Sequence, residues 1–471
     1  SQELAGQNDQ VVSNDWNVNL GYQHIFEDVY VLEGQLYARD NRLILYGSPF
    51  DTPVQADQNR SLANQGINLA LSKTIGINEF KVGVQAKRFP ITELFSFLVT
   101  DPAYNDPSSD SYNPNLAPYD GTRGGSTFYF QEAKTGSYLA AFVQDNIRWN
   151  DLTVNVGLRY DHNHLFITET QLEPRIGAAY FLKATNTVFR ASYNRMFITP
   201  EYENILLSSS PQAAAIAPPE IQNSPQLGGG DLFNVSERHD VYNVGIQQGI
   251  GSKLRLDVSW WYRNVKNAAD QDQFFNTGIV FPLNFASGKL QGWNVRLDVA
   301  PMLGGLSGYV SLGHVKAIYC NPNVGGLFLT SDFLDSLQGG CFVIDHDQNI
   351  AEQAGLFYNL GKTGVWAGVT QRYDSGLVTD AGTIEDVLSS PDTAYAAPYI
   401  HFDQDPQRVK SRTIWNFSLG VHLRGYGIPI AFQVDLLNAF NAQGLYNFQS
   451  VFGGTHVVPP RIFGGRVSWF F

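Results

Sequence analysis

An alternation of apolar and polar residues returns in segment after segment, and nothing else in the sequence restricts the fold as strongly. In LTVNVGLRY (152–160), Leu152, Val154, Val156, Leu158 and Tyr160 fall on one face, and Thr153, Asn155, Gly157 and Arg159 on the other. In KLRLDVSWWYR (253–263), Leu254, Leu256, Val258, Trp260 and Tyr262 oppose Arg255, Asp257, Ser259, Trp261 and Arg263. TIWNFSLGVHLR (413–424) sets Trp415, Phe417, Leu419, Val421 and Leu423 against Asn416, Ser418, Gly420, His422 and Arg424. A period of two is that of a strand with two unlike faces. Charges keep to one face, and aromatics gather towards segment ends. A soluble sandwich would also bury one face, but it would not need a polar interior that includes Arg and Asp.

The connections between these segments come in two kinds. RWND near 149–151, KATN at 183–186, IGS at 250–252, LGKT at 360–363 and GYGI at 425–428 read as short hairpin links. Residues 91–135, 198–236, 268–288, 320–346, 375–408 and 441–461 read as long connections, several rich in Ser, Pro, Asn and Asp. Loops of that length are uncommon in compact soluble domains. Short turns at one end and long loops at the other are the anatomy of an outer-membrane barrel. The reading is therefore all-β: a transmembrane antiparallel β-barrel with short periplasmic turns and long extracellular loops.

Composition excludes other classes. Only 16% of residues are charged, yet mean hydropathy is slightly negative at -0.18, as alternation with uncharged polar residues requires. No apolar run is long enough for a transmembrane helix. A net charge of -13, with no basic stripe, argues against nucleic acid as a partner. The start SQELAGQNDQ carries no signal-peptide pattern.

The chain closes on RIFGGRVSWFF, where Phe463, Val467, Trp469 and Phe471 share one face of a terminal strand. Together with EPRIGAAYFL…TVFRASYNRMFITP, HDVYNVGIQQGIGSKLRLDVSWWYRNVKN, TGVWAGVTQRYDSGL and VDLLNAFN, this ending resembles the successive hairpins of TonB-dependent outer-membrane receptors. The resemblance is best from about residue 136 onward. It implies a barrel of about 22 strands plugged by an N-terminal domain. It also implies uptake of a siderophore, cobalamin, oligosaccharide or peptide, energised by TonB, in the outer membrane of a diderm bacterium. Its implied partners are outer-membrane lipid and lipopolysaccharide, the barrel-assembly machinery that reads the terminal strand, TonB acting through a plug, and a small-molecule or oligomeric ligand.

The sequence departs from that plan. No plug-like segment and no TonB-contact peptide are found, and counting back from Phe471 gives about 17 strands, the first at DWNVNLGYQHIF. Residues 1–471 read as a partial barrel whose remaining strands and plug lie in a truncated portion or in another chain. An odd strand number with an open edge in lipid would leave backbone groups unpaired at several kcal/mol each. A passive porin-like channel and a surface-binding or structural barrel stay open as alternatives.

Chemistry-bearing constellations are few. His162 and His164 beside Asp161 read as polar residues at a strand's outer end rather than a metal site. Asp345 to Asn349, with Asp403 and Asp405, read as solvated loop acids rather than Ca²⁺ ligands. Asp435 reads as a lumenal strand residue. No catalytic triad, phosphate-binding loop or Cys/His spacing is present, so no enzyme, cofactor or metal is expected. The only two cysteines, Cys320 and Cys341, lie in one long connection, and an oxidising compartment favours a bridge between them. Such a bridge would hold GGLFLTSDFLDSL (325–337) over the mouth as a flap.

Overall fold

The computed structural model describes residues 6–27, 29–109, 112–222, 233–275, 277–324, 340–389, 391, 393–448 and 455–470. Among the described residues eighteen strands form one sheet. In chain order these are β1 (Gln10–Phe26), β2 (Tyr30–Tyr46), β3 (Val54–Ile75), β4 (Asn78–Val99), β5 (Phe128–Trp149) and β6 (Leu152–His164). There follow β7 (Thr168–Leu182), β8 (Thr187–Ile198), β9 (Glu237–Ile250), β10 (Leu254–Gln273), β11 (Val280–Met302) and β12 (Leu306–Val324). The last are β13 (Cys341–Val343), β14 (Gln348–Asn359), β15 (Val365–Asp374), β16 (Arg412–His422), β17 (Ile430–Leu437) and β18 (Ile462–Trp469). Every strand pairs antiparallel with its sequence neighbour, except that β12 carries both the three-residue β13 and the full strand β14.

Turns at one end are minimal: 76–77, 150–151, 183–186, 251–253 and 303–305. They reverse the chain through left-handed residues, among them Gly76 (φ 58°), Asn150 (φ 51°), Asn186 (φ 57°) and Gly251 (φ 57°). Gly and Asn enter that region at least steric cost, which is why these links carry them. At the other end lie 100–127, 199–236, 375–411 and 438–461.

The lipid face is the expected one. Val156, Leu158 and Tyr160 of β6, Val258 and Trp260 of β10, and Trp415, Phe417 and Leu419 of β16 are all exposed. The opposite face is a ladder of polar contacts. Arg190 grips Asp257 through two bonds of 2.6 and 2.7 Å, and Arg255 and Arg296 share Asp298 at 2.8 and 2.9 Å. Gln433 and Ser418 hold Asp435 at 2.9 and 2.5 Å. Each charge on the inner face that is paired in this way is spared the cost of an isolated buried ion.

Among the described residues β1 pairs only with β2, and β18 only with β17. Both edges are exposed on both faces, with Val18 at 63%, Phe463 at 80%, Val467 at 68% and Trp469 at 63%. Phe471 lies outside the described residues. The sheet is thus a barrel wall with two free edges.

Two long connections from the sequence reading are corrected. Residues 91–99 and 128–135 are not loop but the upper ends of β4 and β5, each 22 residues long. Crossing a bilayer takes about 9–11 residues, so these strands run on well past it. Likewise 268–288 is mostly hairpin, with only 274–279 between β10 and β11. The apolar stretches read as loop because their polarity changes sides. On β4, Val82 and Val84 point outward and are exposed, whereas Phe89, Ile91, Phe95 and Phe97 point inward and are buried. Above the membrane the outside of the wall meets water, so the apolar residues move to the inside.

Candidate functional site

The inward phenylalanines build a roof over part of the lumen. Phe95 and Phe97 of β4 meet Phe128 of β5, and both meet Phe274 at the tip of the β10–β11 hairpin, with ring centroids 5.0 and 5.1 Å apart. β4 and β10 are distant along the sheet, so the hairpin has to lean inward. At Asn267, whose φ is 56°, the β10–β11 ladder drops one pair without changing register. On the other side β11 shifts register against β12 between Phe285 and Ser287, a bulge of the kind that bends a strand. Phe89, Phe95, Phe97, Phe274, Phe281 and Phe285 are each essentially fully buried. Burial of one such ring stabilises by roughly 1.5–3 kcal/mol, so the roof is a packed core rather than a loose flap.

A strap from the 199–236 connection seals this core from inside. Its helices α1 (Ile205–Ser208) and α2 (Pro211–Ile216) are short, and α1 packs against β4, β5 and β11. Ile205, Leu206 and Leu207 enter the core at 0–1% exposure. The strap's ends of hydrogen-bonding are met by side chains of the wall. Glu93 of β4 accepts from the Leu206 and Leu207 amides at 3.0 and 2.8 Å. Asn204 accepts from Gln58 of β3 and donates to the Val280 carbonyl of β11 at 2.6 Å. Arg60 pairs with Glu203, and Tyr202 stacks on Phe89 at 4.3 Å. Asn113 and Asn115 of the 100–127 connection donate to the Ile216 and Ala217 carbonyls at 2.9 and 2.7 Å.

In that connection Asp120 is fully buried. Burial pushes its carboxyl up, but bonds from Thr122 and Asn105 and the Arg123 charge together hold it below the ordinary value. Burial also raises the Tyr202 hydroxyl above its usual range.

The other half of the outer mouth carries a smaller, separate core of Ala381, Val387, Ala396, Ile400, Val409, Leu445 and Phe448. Buried ion pairs anchor it: Arg408 to Asp347, and Arg412 to Asp374 at 3.1 Å.

The residues singled out from sequence fall as follows. Asp161 faces the lumen and binds Tyr138 and Arg159, while His162 and His164 fall on the opposite side of β6, where His164 is exposed and contacts Thr168 at 3.0 Å. Asp347 is not a solvated acid but the buried partner of Arg408. Asp403 is exposed, 3.8 Å from His401. Among the described residues no group of three or more His, Cys, Asp or Glu is arranged to hold a metal. Cys320 and Cys341 are joined across β12 and β13, with a Cα separation of 4.0 Å. The flap 325–337 lies outside the described residues. The roof was missed. Its signal was the in-phase repeat Phe95/Phe97, Phe128/Phe130 and Phe281/Leu283/Phe285, which continues each strand beyond the bilayer.

Comparison with known proteins agrees with this architecture. The family model for "TonB dependent receptor-like, beta-barrel" matches residues 2–447. The FrpB iron transporter from Neisseria meningitidis (F3-3 variant) superposes with a TM-score of 0.64 at 15% identity, over 96% of this chain and 62% of that one. The copper transporter OprC gives 0.63 at 12% identity, over 97% and 65%. The outer membrane transporter YddB from Escherichia coli gives 0.61 at 11% identity, over 99% and 64%. The chain thus spans less than two thirds of the length of these structures, and at such identities they share its fold. No curated protein matches it in sequence.

Proposed function

The chain belongs to the TonB-dependent receptor-like β-barrel family, and on that premise we propose that it is the wall of an outer-membrane receptor for a scarce nutrient. The cargo is of the siderophore, cobalamin, oligosaccharide or peptide class, and TonB supplies the energy. The observation that carries the reading is the roof: an open diffusion channel has no use for a packed aromatic core and a strap tied across its outer mouth. The edges of β1 and β18, unpaired among the described residues, support a wall completed by further strands, and TonB acts through a plug. The exposed apolar bands meet outer-membrane lipid, the loops meet lipopolysaccharide, and the barrel-assembly machinery engages β18. None of these roles calls for catalysis.

Growth of a strain lacking the gene, on a panel of iron chelates, cobalamin and oligosaccharides, tests this. A deficit on one nutrient that loss of TonB reproduces is the expected result. A deficit that persists unchanged without TonB would instead favour a porin-like channel.

A further inference from the structure

Beneath the roof, sheet register lines up one row of lumenal residues across four strands: Tyr37, Gly66, Lys87 and Tyr138. Gly66 makes room for the Tyr37 ring, since a Cβ there would sit 2.5 Å from it and move it aside. The tyrosine therefore lies down over the glycine, beside Lys87. On the other side the Lys87 ammonium stands 4.9 Å from the Tyr138 ring centroid, and it is 5.5 Å from that of Phe89. Tyr37, Lys87 and Tyr138 line a pocket of about 370 Å³ together with Asn68, Gln85, Ala86 and, from the end of β8, Phe197 to Thr199.

Donors dominate this cavity. Many lumenal cations have an acid in contact, as Arg159 has Asp161 and Arg190 has Asp257. Lys87 has none among the described residues, and the neighbouring charge that acts on it is Arg39, another cation. Arg159 occupies the Gln85 side-chain oxygen at 2.6 Å, which leaves the Gln85 amide nitrogen to the cavity. The Tyr37 hydroxyl has no partner among the described residues either. Tyr138 is different: its hydroxyl is already engaged by Asp161 and Arg159, so it serves as a wall. Asn68 gives its amide nitrogen to Gln35 and adds one side-chain oxygen to the lining, but an ammonium, a phenol and an amide N–H₂ with no carboxylate among them match an anionic oxygen group. The aromatic sides lower the local dielectric and strengthen that match.

The geometry points to a binding site at Lys87, Tyr37 and Gln85 for a carboxylate or phosphate group on the transported small molecule. This rests on the receptor reading and narrows its cargo to one bearing such a group.

Isothermal titration of the detergent-folded full chain with citrate, and separately with inorganic phosphate, tests the site. One or both should bind, and Lys87→Met should weaken binding by about tenfold or more, as loss of a charge-assisted bond implies. Lys87→Arg should retain most of it, and Lys81→Met, at a lysine paired with Glu33, should leave it unchanged. No binding of either probe, or equal binding by Lys87→Met, overturns the site, while TonB dependence is judged by the growth assay alone. Should Lys87→Met fail to fold, acylation of Lys87 in the unaltered protein decides the matter. Protection by the bound anion is expected, and an unchanged acylation rate contradicts the site.

Discussion

Glu93 on β4 holds the strap by its backbone, accepting the Leu207 amide at 2.8 Å from a position that is 1% exposed. Leu206 donates to the other carboxyl oxygen at 3.0 Å. Glu93→Ala leaves two buried amides without acceptors, at about 1–3 kcal/mol each. Exchange of the Leu206 and Leu207 amides should accelerate by roughly tenfold or more, while the lower part of β4 is unaffected. Glu93→Gln keeps one good acceptor and should show a smaller effect. Unchanged protection in Glu93→Ala would mean that the strap is held by its apolar residues alone.

Val156→Arg and Val258→Arg place a charge on the lipid face and should each destabilise the folded barrel by roughly 2–4 kcal/mol if near the bilayer midplane. Asn155→Ala and Ser259→Ala, one position away on the lumenal face, should be nearly neutral. Denaturant titration in lipid vesicles measures both sets. Equal tolerance of the two would reverse the assignment of faces.

The 47–53 turn should loosen as pH rises. Burial, followed by the hydrogen bond and charge of Asp9, pushes the Asp51 carboxyl from 3.8 up to about 6. Its protonated form is thus favoured in the fold, so the stabilisation is complete below the unfolded value and is lost as pH climbs through about 6. Ser48, which donates to Asp51 at 2.7 Å and to Asp9 at 3.0 Å, reports the change. Its amide should exchange faster at pH 7.5 than at pH 5, after correction for intrinsic rates. Asp51→Asn should abolish that difference.

The Cys320–Cys341 pair closes a segment with a sequence separation of 21 residues. A bridge of this span stabilises by about 3 kcal/mol in the chain-entropy model. Mass spectrometry of non-reduced tryptic peptides should recover the two cysteines linked. Finding both alkylated without prior reduction would exclude the bridge.

Most of the wall was legible because a strand in lipid has only one solution, apolar out and polar in, repeated with period two. Leu152 to Tyr160 and Trp415 to Leu423 follow it without interruption, and Asn150, Asn186 and Gly251 mark the turns between strands. The roof was not legible, for a physical reason. Past the bilayer the same strand inverts its faces, so Phe89 to Phe97 break the rule that identified the segment below them. Asn267 is a single left-handed residue in a ladder that keeps its register, and the shift between Phe285 and Ser287 is one residue, too small a signal to separate a leaning hairpin from a loop. The Lys87 niche depends on which residues share a row across four strands, and register is not written in any one of them.

Spin labels placed singly along β4 test the account most directly, because that strand carries both the lipid face and its inversion. Collision with dissolved oxygen should peak at positions 82 and 84 and fall at 83 and 85. Higher up, a label at 94 should meet a water-soluble nickel reagent, while labels at 95 and 97 are immobilised and shielded from both. An oxygen profile without the two-residue period, or strong oxygen contact at 95 and 97, would contradict a barrel wall that spans lipid below and packs a roof above.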